Sequence, residues 1–272
     1  MNNSKRIKIG LALGSGGAKG LAHIGVIKVL EENNIPIDFI AGSSMGALIG
    51  GFYAAKKDIK QLEQIALAVN WKFILGLVDP SFPKGGLLEG RKIKHFIENY
   101  LDEMTFKDLK IPFAVVATDL KKGERVIIKE GDLSLAIRAS ISFPLVFKPV
   151  KWKNQLLIDG GLSSPVPVEI VKRMGADLIL AVNLDASYFF ENEKKNAKLG
   201  FYKIIEDSLN LLRYHLAFLE CQNADLVIKP QLGSTHWIKF LNSKKIIESG
   251  EKATIQILPS LQELISKNKK TA

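Results

Sequence analysis

The sequence predicts an α/β fold with a mostly parallel central sheet covered by helices on both faces. Three observations predict it. Short apolar runs of strand length recur along the chain, they alternate with segments of helical periodicity, and two of them end in glycine-rich turns that open helices. At 272 residues, with 47% hydrophobic and 24% charged residues, the chain is long enough to bury a large core and has the composition of an ordinary globular protein. No linker-like stretch divides it, so a single domain is expected over residues 1–272.

Ile7 to Leu13 reads as a strand that stops at Gly14-Ser15-Gly16-Gly17-Ala18-Lys19-Gly20. Leu21 to Glu32 follows as a helix, with Leu21, Ile24, Ile27 and Leu30 at helical spacing. Pro36 breaks the chain, and Ile37 to Ala41 forms a second strand that enters Gly42-Ser43-Ser44-Met45-Gly46 and leaves through Ala47-Leu48-Ile49 as a helix. Lys57 to Asn70 and Gly90 to Asp102 have amphipathic helical patterns, with the apolar segment Ile74 to Leu88 between them read as a loop. Phe113 to Thr118 and Arg125 to Lys129 form a hairpin across Lys121-Lys122-Gly123, and Asp132 to Ser140 a helix that ends before Pro144. Leu156-Leu157-Ile158 is a short strand that halts at Asp159-Gly160-Gly161, and Pro165 and Pro167 open a helix over Val168 to Met174. Leu178 to Leu184 is a buried strand. Leu209, Leu212, Leu216 and Leu219 make one stripe of a helix, Leu226-Val227-Ile228 is a last strand, and Lys252 to Ser266 a final helix. There is no internal repeat.

The formal charge of +10 invites an anionic partner, although solvated lysine faces are the plainer account of it, since single-sign runs are short. No zinc-finger, RNP or basic-zipper pattern occurs, so no nucleic acid is expected. A phospholipid surface suits the charge, at about 1 kcal/mol per well-placed Lys or Arg. Trp71, Phe73, Ile74 and Leu75 belong either to the core or to an interfacial patch or lid. The single cysteine, Cys221, excludes an intramolecular disulfide and a cysteine-rich metal site; neither metal nor cofactor is expected. Lys5, Arg6 and Lys8 precede an apolar stretch too short for an export signal. The longest uncharged window, Phe39 to Ala55, falls just under the roughly 18 residues of a membrane span and is rich in Gly and Ser. A cytoplasmic protein is expected, with peripheral contact at the inner membrane face a candidate. Composition leaves the oligomeric state open.

Gly42 to Gly46 fits the G-x-S-x-G turn that presents a serine between a strand and a helix. Its two glycines let a strained turn lie against neighbouring backbone while Ser44 points outward, though Ser44 as a plain helix cap fits the same string. A serine hydroxyl needs a base within reach and donors for the developing oxyanion. The loop Gly16-Gly17-Ala18, at a helix N-terminus, offers unpaired backbone N–H groups to an oxyanion or a phosphate. It matches neither the P-loop, because Gly20 follows Lys19 where Ser or Thr belongs, nor a clean dinucleotide fingerprint. Of the four histidines, His23, His95, His215 and His236, only the last two lie late enough for a Ser-Asp-His triad, and neither has a recognisable catalytic context. Asp159 ends a short apolar strand before two glycines, which brings a carboxylate to the sheet edge of the serine turn; an ordinary Asp-Gly turn reads the same way.

Taken in order, Gly14 to Gly20, Gly42 to Gly46 and Asp159 to Gly161 resemble the patatin-like phospholipase family. Leu21-Ala22-His23-Ile24-Gly25-Val26, Ala117-Thr118-Asp119 and Arg138-Ala139-Ser140 extend the resemblance over roughly residues 7–185. It implies a three-layer sandwich and a lipid acyl hydrolase with a Ser-Asp dyad, and it likens the chain to the compact bacterial type. It implies Ser44 as nucleophile, Asp159 as general base, and the N–H groups of Gly16, Gly17 and Ala18 as oxyanion hole. Gly14, Lys19, Gly20, Gly42, Gly46, Gly160 and Gly161 would support them, and residues 186–272 would form a C-terminal extension of helix and strand. His23 falls at a family position that is not the base. Ser15 stands where the loop pattern is relaxed. The expected substrate is a lipid ester. Two other readings stand beside it: a thioesterase or short-chain esterase with a His215 or His236 triad, and a non-catalytic lipid-binding or partner-binding protein.

Overall fold

The computed structural model describes residues 6–68, 76, 79, 88–187, 200–232 and 242–270. The expected interfacial segment at Trp71 to Leu75, most of the Ile74 to Leu88 loop, and His236 lie outside them. The strands are β1 (Ile9–Leu13), β2 (Phe39–Ser43), β3 (Phe113–Asp119), β4 (Arg125–Ile128), β5 (Val150–Trp152), β6 (Gln155–Asp159), β7 (Leu178–Val182) and β8 (Leu226–Ile228). The helices are α1 (Ala22–Glu32), α2 (Met45–Lys56), α3 (Ile59–Ala68), α4 (Arg91–Leu101), α5 (Leu133–Ser140), α6 (Val168–Arg173), α7 (Phe201–Cys221) and α8 (Ser243–Lys270).

The strand order is β5-β6-β3-β2-β1-β7-β8, with β4 also on β3. From β3 through β8 that path is parallel; β4, β5 and β6 make antiparallel pairs. The central strand β1 is buried throughout, which explains why it reads as an unbroken apolar run. Alternate residues of the strands face two separate layers. Ile9, Leu11, Leu13, Ile40, Phe113, Val115, Leu178 and Leu180 join a core with α1 to α5 and α8. Ala12, Ala41, Ala114, Val116, Ile179 and Ala181 face α6 and α7. The result is the expected helix, sheet, helix sandwich, with small residues where α6 lies close to the sheet.

Three expectations change. The strand ending at Asp159 runs antiparallel to β3, and it is the second arm of a hairpin whose first arm, β5, the sequence reading lacks. A three-residue strand reading Val-Lys-Trp carries too little periodicity to be seen alone. Next, the leucine stripe of α7 is not its buried side: Leu212 and Leu219 are 67% and 57% exposed, while Ala217 and Cys221 face inward. Finally, the last helix spans Ser243–Lys270, starting well before the expected Lys252. The turns before Lys252 pack against α1. A Cβ on Gly25 would stand 2.1 Å from Ile247 O and one on Gly250 2.0 Å from Ala22 O, so the two backbones cross at contact distance. No helix among the described residues is long and apolar enough to cross a membrane.

Candidate active site

Ser44 stands between the last residue of β2 and the first of α2, with φ 54° and ψ −121°. That backbone is unfavourable for a side-chain-bearing residue, at a cost of about 1–3 kcal/mol, and persists only where its surroundings enforce it. Gly46 is one such constraint. A Cβ there would lie 2.1 Å from Leu13 O and 2.7 Å from Gly14 O, so only glycine lets the turn settle onto the end of β1 and the neighbouring loop. Gly42 does the same within the turn, its missing Cβ leaving room for Gly46 O. Although Ser44 occupies the N-cap position of α2, its side chain makes no capping bond. Instead its Oγ donates to Asp159 Oδ2 at 2.5 Å.

The strand register explains how residues so far apart in the chain meet. The β2–β3 ladder ends at Ser43 opposite Val116, and the β6–β3 ladder begins at Asp159 opposite Ala117. Because β4 occupies the other edge of β3 at both positions, β2 and β6 share one edge and run into each other head to head. Asp159 therefore reaches the serine turn from the opposite direction to a parallel strand. Thr118 Oγ1 donates to Asp159 O, and Asp159 N donates to Ser142 O. Gly160 packs against Val116 O and Gly161 against Ser15. Asp159 is 2% exposed, and its Oδ1 accepts from Gly161 N at 2.7 Å. Burial pushes its carboxyl up to about 6, against the opposing pull of the Ser44 and Gly161 hydrogen bonds and the positive charge of Arg213.

The glycine loop adjoins both residues. Gly14 N donates to Val182 O and Ser15 N to Pro165 O, fixing the loop to β7 and to the segment before α6. Gly17 has φ 55°, and the N–H groups of Gly16, Gly17 and Ala18 have no backbone acceptor among the described residues. Gly20 has no room for a Cβ, which would stand 2.1 Å from Met45 Cγ, so the short helix after the loop sits on the residue following Ser44. Lys19 is buried in that helix. His23 supports the loop from within: its Nε2–H donates to Gly14 O at 2.7 Å, and complete burial drives its pKa down to about 4. It is thus neutral near pH 7 and turned away from proton transfer.

Three further groups attach to the site. Arg213 holds Asp185 through two bonds of 2.7 and 2.8 Å, and its charge acts on Asp159. Glu220 accepts from Ser164 Oγ and Val166 N, tying α7 to the segment that follows Gly161. Ser140 Oγ accepts the Ser44 N–H at 2.8 Å. Neither Arg213 nor Glu220 lies in a motif, so only the fold reveals them. His215 is exposed on α7 beside Tyr214, and His95 is exposed on α4. Among the described residues no group of three His, Cys, Asp or Glu is arranged to hold a metal ion. Chemically, the arrangement offers a hydroxyl already bonded to a carboxylate of raised basicity, beside a loop of unpaired N–H donors.

The sequence profile of patatin-like phospholipases matches residues 11–172. An uncharacterized NTE family protein of Mycobacterium bovis is 41% identical over 187 residues, covering 69% of this chain and 52% of the relative. The neuropathy target esterase of Drosophila melanogaster is 32% identical over 183 residues, covering 65% of this chain and 13% of that protein. The chain thus spans about half the length of the first of these relatives and far less of the second. Among solved structures, VipD from Legionella pneumophila aligns with 94% of this chain and 67% of its own, at a TM-score of 0.55 and 15% identity, a likeness of fold.

Proposed function

The chain belongs to the patatin-like phospholipase family, and on that premise we propose that it is a serine lipid acyl hydrolase working through a Ser44–Asp159 dyad. The observation that carries the reading is the direct 2.5 Å bond from Ser44 Oγ to Asp159 Oδ2, with no histidine between them. Ser44 attacks the ester carbonyl as Asp159 takes its proton. The N–H groups of Gly16, Gly17 and Ala18 receive the negative charge of the tetrahedral intermediate. The protonated Asp159 then gives its proton to the departing alcohol, leaving an acyl-serine; it next takes a proton from the attacking water and returns it to Ser44 Oγ as the carboxylic acid leaves. A carboxylate buried like Asp159 is more basic than one in water, which favours this use of it.

The test is a lipid-class screen of the purified protein beside Ser44→Ala, with fluorophosphonate labelling of both. Acyl release and labelling by the wild type alone are expected. An unlabelled wild-type protein without hydrolysis would favour the binding-module reading. Loss of hydrolysis on replacing His215 or His236, with Asp159→Asn still active, would favour the triad. The net charge of +10 supports peripheral contact with an anionic phospholipid surface. The outward side of α7, where Phe201, Leu212, Phe218 and Leu219 are all more than half exposed, suits the apolar part of such a contact.

A further inference from the structure

We propose that Ser140 is a positioning residue for the reaction, and that the turn Ser140–Ser142 is the frame that holds Ser44 and Asp159 at bonding distance. The proposal rests on the dyad reading above. Ser140 is the last residue of α5 and is completely buried. Its hydroxyl accepts the N–H of Ser44 at 2.8 Å and donates to Val116 O at 2.5 Å. Val116 is the residue opposite Ser43, where the β2–β3 ladder ends. The hydroxyl therefore continues the ladder by one bridge at the residue where the main chain turns out of strand geometry. One group must accept and donate at once there, which a serine hydroxyl does and an alkyl group cannot.

Two residues on, the same turn grips the other partner. Ser142 O accepts the main-chain N–H of Asp159 at 3.0 Å. Ser142 is itself fixed by Arg138, whose Nη1 donates to Ser142 Oγ at 2.6 Å while that hydroxyl donates to Arg138 O. Arg138 is buried as well and donates further to the carbonyls of Gly90 and Glu89. The strained turn of Ser44 and the strand end of Asp159 thus hang from one short, rigid piece of chain. The bond between their side chains has to be short and aimed, and this frame sets its length.

Removing the Ser140 hydroxyl leaves the Ser44 N–H and Val116 O without their shared partner and lets the turn relax. A displacement of about 1 Å at reacting atoms is enough to lower turnover about a hundredfold. The experiment compares kcat, KM and the rate of fluorophosphonate labelling for the wild type, Ser140→Ala and Ser140→Cys, the last nearly keeping volume but offering only weak bonds. Thr254→Ala is the comparator. It deletes a similarly buried hydroxyl, one that donates to Gly250 O within α8, a helix that supplies no residue of the dyad or the glycine loop. Expected is a fall in kcat and labelling of at least about tenfold for Ser140→Ala, with KM within about twofold, and an intermediate fall for Ser140→Cys. Thr254→Ala keeps wild-type kcat per folded molecule. Should Ser140→Ala fail to fold, Ser140→Cys carries the test. Wild-type kcat in a folded Ser140 variant, or an equal loss in Thr254→Ala, overturns the proposal. A wild-type protein that neither hydrolyses nor labels overturns the dyad reading instead, and this proposal with it.

Discussion

Asp159 can act as the base only while ionised, and its pKa of about 6 makes that state sensitive to mildly acidic solution. Between pH 7 and pH 5 the ionised fraction falls from about nine-tenths to about one-tenth, so kcat/KM falls about tenfold. An ordinary Asp at 3.8 would stay more than about nine-tenths ionised over the same range, leaving the rate nearly flat. The assay is initial-rate hydrolysis of a water-soluble chromogenic ester from pH 4.5 to 8, which keeps lipid packing out of the measurement. Folding must be followed alongside by near-ultraviolet circular dichroism, because His23 contributes in this range. Its folded pKa of about 4 lies below its ordinary 6.5, so the stability it contributes is present above pH 6.5 and is lost as pH falls towards 4. Asp159 acts in the opposite sense: its raised folded pKa means that stability declines as pH rises from 3.8 through 6. A flat profile between pH 5 and 7 in protein shown to be folded would refute the assignment of Asp159 as base.

By the same linkage, Asp159→Asn should abolish hydrolysis yet stabilise the fold at pH 7.5 by up to about 3 kcal/mol, since a shift of one pKa unit corresponds to about 1.4 kcal/mol. Urea unfolding measures it, and a markedly less stable variant contradicts the burial argument. Arg213→Gln removes a positive charge that lowers the pKa of Asp159, which moves the acid limb to higher pH; an unmoved limb would mean that Arg213 is merely structural. Gly46→Ala drives a Cβ into Leu13 O, which as backbone cannot swing aside, so a loss of about 1–3 kcal/mol and of most activity is expected; wild-type urea midpoint and kcat would contradict the turn geometry. In sedimentation with vesicles, the protein should prefer anionic to neutral phosphatidylcholine membranes, and Leu212→Glu with Phe218→Glu should weaken that binding; equal binding to both membranes counts against the charge argument.

The three motifs were legible because each is a local problem in stereochemistry. A tight turn between strand and helix has room only for glycine at Gly42 and Gly46, and an aspartate before Gly160 and Gly161 brings its own backbone donor, as the Gly161 N–H bond bears out. The parallel strands were legible because burial on both faces makes each a continuous apolar run. The hairpin of β3 and β4 followed from its turn, and the register bears it out. By contrast, β5 was too short to carry a period, and the first turns of α8, before Lys252, cross α1 at contact distance more than two hundred residues away in the chain.

What the sequence determined by itself was therefore the set of parts: which residues can stand in a strained turn, which loop leaves its N–H groups unpaired, and which carboxylate ends a strand. Only the tertiary structure decided how they meet. Ser44 is 115 residues from Asp159 and 96 from Ser140, and the contact is made because β2 and β6 end head to head on one edge of β3. The direction of β6, the frame at Ser140 and Ser142 and the charge of Arg213 on α7 all depend on such long separations, and the neutrality of His23, whose partner Gly14 is close in the chain, depends on complete burial. Periodicity and turn chemistry act over a few residues, whereas strand register and burial are properties of the assembled sheet.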